Sequence, residues 1–229
     1  MFLWLRRFYQ AAFLLFFLFL VFAGTSHFIR GYDVQWFLEL DPLVALLEAD
    51  GVQVHILESE QYGHRIYRMW NAGMELAQAD FIAVLNDDIT ILPGSMPLMA
   101  EALSDPSVGI VYPDVRAGLN FLPSLPLTLE PTTSTWGAAG MTGFCFMFRP
   151  PAKFDESYSW WYGDDDFEER TRLSGLTVCR IVGLPIGHSP DGSAGRVMHE
   201  LGPLIQADRA LWDSRHGAPS TGSSYRSVE

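Results

Sequence analysis

The sequence predicts an α/β fold in a single domain. Short apolar runs of strand length alternate with segments whose apolar residues recur at three and four, which is the pattern of strands interleaved with helices. Turn-forming Gly and Pro punctuate those runs. A hydrophobic fraction of 48% with seven Trp in 229 residues is enough for a substantial core.

Taken in order, the chain opens with "MFLWLRRFYQAAFLLFFLFLVFAG", where Arg6 and Arg7 precede an almost unbroken apolar run from Phe8 to Gly24. A bilayer span needs roughly 20 apolar residues, so the run suits an anchor, a cleaved signal or a buried segment. The two arginines would hold the N-terminus on the cytoplasmic side of a span. Residues 1–30 are therefore set apart as a hydrophobic N-terminal segment, and both membrane-associated and cytoplasmic locations stay open. No Asn-x-Ser/Thr sequon supports a glycosylated lumenal domain.

The domain proper is expected over 31–216. "DPLVALLEAD" reads as a short helix, and the alternating "VQVHILE" (Val52 to Glu58) as a strand. From His64 to Gln78 the apolar positions Ile66, Met69, Trp70, Gly73, Met74 and Ala77 mark one face of a helix. "DFIAVL" (Asp80 to Leu85) suits a buried central strand, Pro93 and Gly94 close the loop after it, and "SMPLMAEALS" gives a further helix. "VGIVYP" is the next strand. Pro113 to Ala139 has no period and reads as a long loop, which in a compact domain is either functional or disordered. "MTGFCFMFRP" is an apolar strand, a helix begins near Asp164 and stops at Gly175, and "LTVCRIVG" is another strand. Residues 217–229, "GAPSTGSSYRSVE" from Gly217, read as a disordered tail.

Charge narrows the partners. A net charge of −12 leaves no broad basic face for nucleic acid. An anionic substrate can still bind if a cation stands between. Cys145 and Cys179 lie in apolar runs without metal-type spacing, which points to buried free thiols.

Two acidic clusters carry the chemistry. Asn86-Asp87-Asp88 follow the run "FIAVL" directly, and ligands of open α/β sheets bind at the carboxyl ends of strands. Hard oxygen donors at i and i+2 of an extended turn face one way and suit Mg²⁺ or Mn²⁺; a plain polar turn is the alternative. Asp164-Asp165-Asp166 stand where a helix begins, and the macrodipole favours an acid there by ~0.3–1 kcal/mol. Three in a row exceed what one cap requires. The preceding Trp160-Trp161-Tyr162 could raise a carboxyl pKa toward that of a general base, and the two Trp suit either core packing or stacking on a sugar. His188, in "GLPIGHSPDG", is either incidental or shares a site with Asn86 and Asp88.

Together these pieces resemble the family 2 inverting glycosyltransferases, from about Asp41 to Gly217. "RMWNAGMELAQADFIAVLNDDITILPG" resembles the family's Asn-x-Gly helix, buried strand and DXD-type motif, here Asn86-Asp87-Asp88. "MTGFCFMFRP" resembles the strand lining the acceptor site, and "YGDDDFEERTRLSG" the ED-type motif. Aligned on Asp166 and Arg170, the catalytic-base position falls on Asp164, and "ADRALWDSRHG" resembles the closing helix. The resemblance implies a GT-A-like (Rossmann-like) mixed sheet flanked by helices. It also implies Mn²⁺ or Mg²⁺ held by Asn86, Asp87, Asp88 and His188. The donor would meet Asn71, Gly73 and Asp88; the acceptor would meet Trp160, Trp161, Tyr162, Asp165 and Gly143.

Two departures stand out. The family's opening Pro-Thr-x-Asn strand and Asp-Gly-Ser turn are missing, "VFAGTS" (Val21 to Ser26) being the nearest echo. "QADRA" at Gln206 lacks the Trp of the processive synthases' Gln-x-x-Arg-Trp, which favours a single addition. The implied activity is metal-dependent transfer of a hexosyl or deoxyhexosyl group from a nucleotide sugar, with inversion, to a glycan, lipid-linked or protein acceptor. A nucleotidyltransferase acting on sugar phosphates and an inactive glycan-binding relative are the rival readings.

Overall fold

The structure, a computed structural model, describes residues 43–77, 79–86, 89–114, 127–133, 141, 143–184, 186–188 and 193–217. Two units divide the chain, 1–46 and 47–229. The N-terminal apolar run, most of the 113–139 stretch, Asp87, Asp88 and all of the tail after Gly217 lie outside the described residues. A helix over 43–49 (α1) fulfils the first helical expectation.

The 3.6-residue apolar period delivers α2, Ile66–Leu76, which buries Tyr67, Trp70 and Asn71 and ends where Ala77 turns extended. Strand β1 (Ile82–Leu85) follows, then β2 (Ile89–Ile91) and the helix α3 (Ser95–Ala102). Gly94, left-handed at φ 85°, opens α3 and donates its N–H to Asp50 at 2.7 Å. Then come β3 (Val108–Pro113), β4 (Thr128–Pro131), β5 (Cys145–Phe148) and helix α4 (Gly163–Leu173). Strands β6 (Thr177–Val182) and β7 (Ile186–His188) and the long helix α5 (Ser193–His216) complete the described chain. Gly175 stops α4 with φ 88°, as expected.

Five strands form one mixed sheet in the order β1-β5-β3-β6-β4. The β3–β6 pair is parallel and the other three pairs are antiparallel. The middle strands β3 and β5 are buried at every residue, because helices and loops cover both faces. Cys145 and Cys179 are buried free thiols within it. On one face the aromatic core gathers, with Phe154 of the 149–162 segment stacked on Phe167 of α4 at 4.3 Å and Trp70 edge-on to Phe154 at 5.0 Å. Burying a ring of this size contributes about 1.5–3 kcal/mol. β2 and β7 form a separate two-stranded ribbon.

Three expectations are corrected. Residues 52–58 form no strand: Ile56 is exposed, and Leu57 instead packs against α2, where a Cβ on Gly73 would lie 2.7 Å from its Cδ1. Their alternation accompanies the contact of Leu57 with a helix, and they have no sheet partner among the described residues. β1 is an edge strand among the described residues, not a central one, since its single neighbour is β5. Within the stretch read as a loop, β4 pairs antiparallel with β6, its mostly exposed side chains having given no apolar signal.

Candidate active site

The site is built on the first turn of α4. Gly163 begins that helix because its backbone lies against the Tyr67 ring of α2, where a Cβ would come within 2.5 Å. Tyr162, just before it, takes a left-handed φ of 67°, a conformation that costs a bulky residue about 1–3 kcal/mol. Neighbouring contacts hold it there. Its ring is buried and stacked on Trp212 of α5 at 5.8 Å. The Asp208 carboxylate, also from α5, accepts the N–H groups of Ser159 (2.9 Å), Trp160 (2.7 Å) and Trp161 (2.9 Å).

Asp164 points back from that turn toward the core. One of its oxygens accepts the Tyr67 hydroxyl at 3.1 Å, and the same hydroxyl lies 3.1 Å from the Trp160 carbonyl. The amides of Gly143, Asp165 and Asp164 itself also stabilise its charge. Burial outweighs these donors and pushes the Asp164 carboxyl above the ordinary carboxylate range. Asp165 is pushed up further, first by burial and then by repulsion from Asp164, Glu168 and Glu169. Tyr67 is buried, so its phenol is raised well above its usual value and stays a donor. The hydrogen-bond donors around this pair are thus gathered on Asp164, while Asp165 is met by like charge.

The remaining acids of "DDDFEER" are structural. Asp166 pairs with Arg170 at 2.7 Å, the i,i+4 spacing that the resemblance aligned on. Glu168, fully buried, accepts the Met141 N–H at 3.0 Å and ion-pairs with Arg172, which also reaches Thr132. Glu169 meets His216 of α5 at 2.8 Å.

The residues just before β5 link Asn86 to Asp164. Glu168 pins Met141, and two residues on Gly143 lies so close to Asp164 that a Cβ would stand 2.8 Å from Oδ2. The next carbonyl, Phe144, accepts the Asn86 N–H at 2.8 Å. Asn86 and Asp164, far apart in sequence, therefore stand on opposite sides of a two-residue bridge. On the ribbon, register pairs Ile89 with His188, so the imidazole-bearing residue lies across from the residue that follows Asp88.

Other expected site residues fall elsewhere on this frame. Trp161 is 37% exposed, Trp160 is half-buried and Tyr162 is buried, so a ring face is presented to solvent mainly by Trp161. Asn71 is buried in α2, its amide nitrogen donating to the Phe154 carbonyl (3.0 Å) and Glu156 (2.9 Å) and its oxygen accepting the Phe154 N–H (2.9 Å). Gly73 lies on α2 against Leu57. Tyr67 and Asp208 were not singled out from the sequence. Tyr67 stands three residues before Trp70, on the apolar face already recognised, whereas Asp208 acts on backbone amides and leaves no motif.

No curated protein matches the chain. Three crystal structures of glucosyl-3-phosphoglycerate synthase from Mycobacterium tuberculosis are similar to it, each with a TM-score of 0.44. One holds Mn²⁺, UDP-glucose and glycerol 3-phosphate, the second Mn²⁺, UDP and glucosyl-3-phosphoglycerate, and the third phosphoglyceric acid. Identity is 12% to the first two and 14% to the third; the similarity covers 75% of this chain and 59% of theirs. Residues 40–153, which include Asn86 and Gly143 and stop short of α4, match the family model "Glycosyl transferase family 2". This chain, with its mixed α/β sheet and flanking helices, carries a glycosyl transferase family 2 domain of the GT-A type.

Proposed function

We propose that the protein transfers one sugar from a nucleotide-sugar donor to a hydroxyl acceptor with inversion, using a divalent cation. The observation that supports this reading is the bridge from Asn86 through Phe144 and Gly143 to Asp164, which puts the residue that opens the DXD-type motif and a helix-mounted carboxylate at one end of the β1–β5 pair.

Asn86, Asp87, Asp88 and His188 would hold Mn²⁺ or Mg²⁺, which supplies Lewis-acid neutralisation of charge on the departing diphosphate. Oxygen donors with one imidazole suit either ion, and the pairing of Ile89 with His188 fits a common site. Asp164 takes the proton from the acceptor hydroxyl as that oxygen attacks the anomeric carbon. Tyr67 and the Gly143 amide hold its carboxylate in place, and burial raises its basicity. Asp165, driven toward its protonated form, avoids a second negative charge beside the base. The exposed Trp161 ring offers a stacking face for the acceptor, which lowers the entropic part of the barrier.

The test combines calorimetry with kinetics. UDP, GDP and dTDP are titrated with and without Mn²⁺, and release of nucleoside diphosphate is followed across a panel of nucleotide sugars. Metal-dependent nucleotide heat is expected, together with an Asp164→Asn variant that binds nucleotide normally and turns over about 10²–10⁴-fold more slowly. Undiminished turnover removes Asp164 from the mechanism. Pyrophosphate released from a nucleoside triphosphate and a sugar phosphate would indicate the nucleotidyltransferase, and absence of nucleotide heat the glycan-binding relative.

A further inference from the structure

Helix α5 meets the segment in front of the proposed base at several points, all from one helical face. Trp212, Arg215 and His216 follow Asp208 by four, seven and eight residues. Arg215 pairs with Asp155 at 2.6 Å and lies over the Tyr158 ring. Trp212 stacks on Tyr162, and His216 stacks on Trp212 at 3.8 Å while reaching Glu169. Among these contacts the Asp208 carboxylate is the most specific: it is 2% exposed and takes three consecutive backbone N–H groups, those of Ser159, Trp160 and Trp161.

Three successive amides directed at one buried carboxylate make an anion nest, occupied by the chain's own side chain. The nest fixes the backbone that carries Trp160 and Trp161. It also orients the Trp160 carbonyl, which lies within hydrogen-bond distance of the Tyr67 hydroxyl that touches Asp164. Without Asp208 three amides in a half-buried stretch would lose the carboxylate that accepts them, and the left-handed Tyr162 would lose part of what holds it.

We propose that Asp208 is a positioning residue for the acceptor side of the reaction: by gripping the 159–161 amides it sets the Trp161 ring face and the acceptor's approach to Asp164. This rests on the transferase reading above. Asp208 belongs to neither the metal motif nor the base, so it acts on acceptor binding and leaves donor binding alone.

The test uses Asp208→Asn in the full chain. This variant keeps the shape, but its NH₂ group opposes the N–H donors. Hydrogen exchange by mass spectrometry needs no substrate. Peptides spanning 157–163 should exchange at least tenfold faster in the variant while those from β3 and β5 stay unchanged. Kinetics then use the nucleotide sugar that wild type consumes with p-nitrophenyl glycosides as acceptors. The acceptor KM should rise about tenfold, with the donor KM and acceptor-free donor hydrolysis within twofold. In a Trp161→Ala background the substitution should add little to the acceptor KM. Equal losses in donor and acceptor parameters, or unchanged exchange at 157–163, overturn the proposal. Should Asp208→Asn fail to fold, Asp208→Glu is read by the same criteria. If wild type transfers nothing to any acceptor, the transferase reading fails, and the exchange experiment still decides whether Asp208 holds the loop.

Discussion

Replacing Tyr67 with Phe removes a single hydroxyl from a fully buried ring and leaves the ring's packing in place. That hydroxyl serves two acceptors, Asp164 and the Trp160 carbonyl, both at 3.1 Å. Hydrogen bonds to a charged group contribute about 1.5–3 kcal/mol, so the variant should melt roughly 3–12 °C lower, taking about 2–4 °C per kcal/mol for a domain of this size. The catalytic consequence has a definite sign. Tyr67 favours the ionised form of Asp164, opposing the burial that raises its carboxyl. Its removal therefore lets the proton stay on to higher pH, and a base that must be ionised becomes active only there. The assay is kcat/KM for sugar transfer as a function of pH, whose acid limb reports the coupled Asp164–Asp165 pair. In the Phe variant that limb should move to higher pH, with the loss of rate greatest on the acid side and smaller on the plateau. A limb that stays put, or moves to lower pH, refutes the placement of Tyr67 as the donor that holds the base.

Two further outcomes follow from the same turn. Gly143→Ala places a Cβ 2.8 Å from Asp164 Oδ2, so the backbone at Gly143 or the carboxylate must shift; kcat should fall about tenfold or more while Tm, read by calorimetry, changes little. Asp165→Asn tests the repelling acid: because its folded pKa is raised, its contribution to stability is full at acid pH and is lost as pH rises through that pKa. The Asn variant should therefore melt higher than wild type near pH 8, the gain shrinking as pH falls toward 4; a gain that grows on acidification contradicts the assignment.

Sequence carried the site's acids better than it carried their neighbours. Helix α4 was legible because Asp164, Asp165 and Asp166 crowd its first turn and Gly175 stops it, both local signals. The edge position of β1 among the described residues was not, since an apolar run records how much is buried and not which strand lies beside it. Residues 52–58 alternate like a strand but place Leu57 against a helix and leave Ile56 in solvent. β4, "TLEP", shows mostly exposed side chains, and Glu130 there is tied to Arg180 of β6 by a partner 50 residues away. Such pairings, like that of Tyr67 with Asp164, depend on chain separations that no local period encodes. Asp208 is the extreme case: its partners are main-chain amides, which every residue type except Pro offers alike.

The density of acid beside aromatic surface in "WWYGDDDFEER" resolves once each carboxylate is followed to its partner. Asp166 has Arg170, Glu168 has Arg172 and the Met141 amide, Glu169 has His216, and Asp164 has Tyr67 with the amides around it. Among the described residues Asp165 alone is met chiefly by like charge. A chain selected only for stability has no reason to keep it, since an amide there would remove the repulsion. Next to the proposed base, the same repulsion has a use. It favours the neutral form of Asp165 beside the carboxylate that faces Gly143. The aromatic residues serve the same end by excluding water, which raises basicity on one side of the turn and leaves Trp161 exposed on the other.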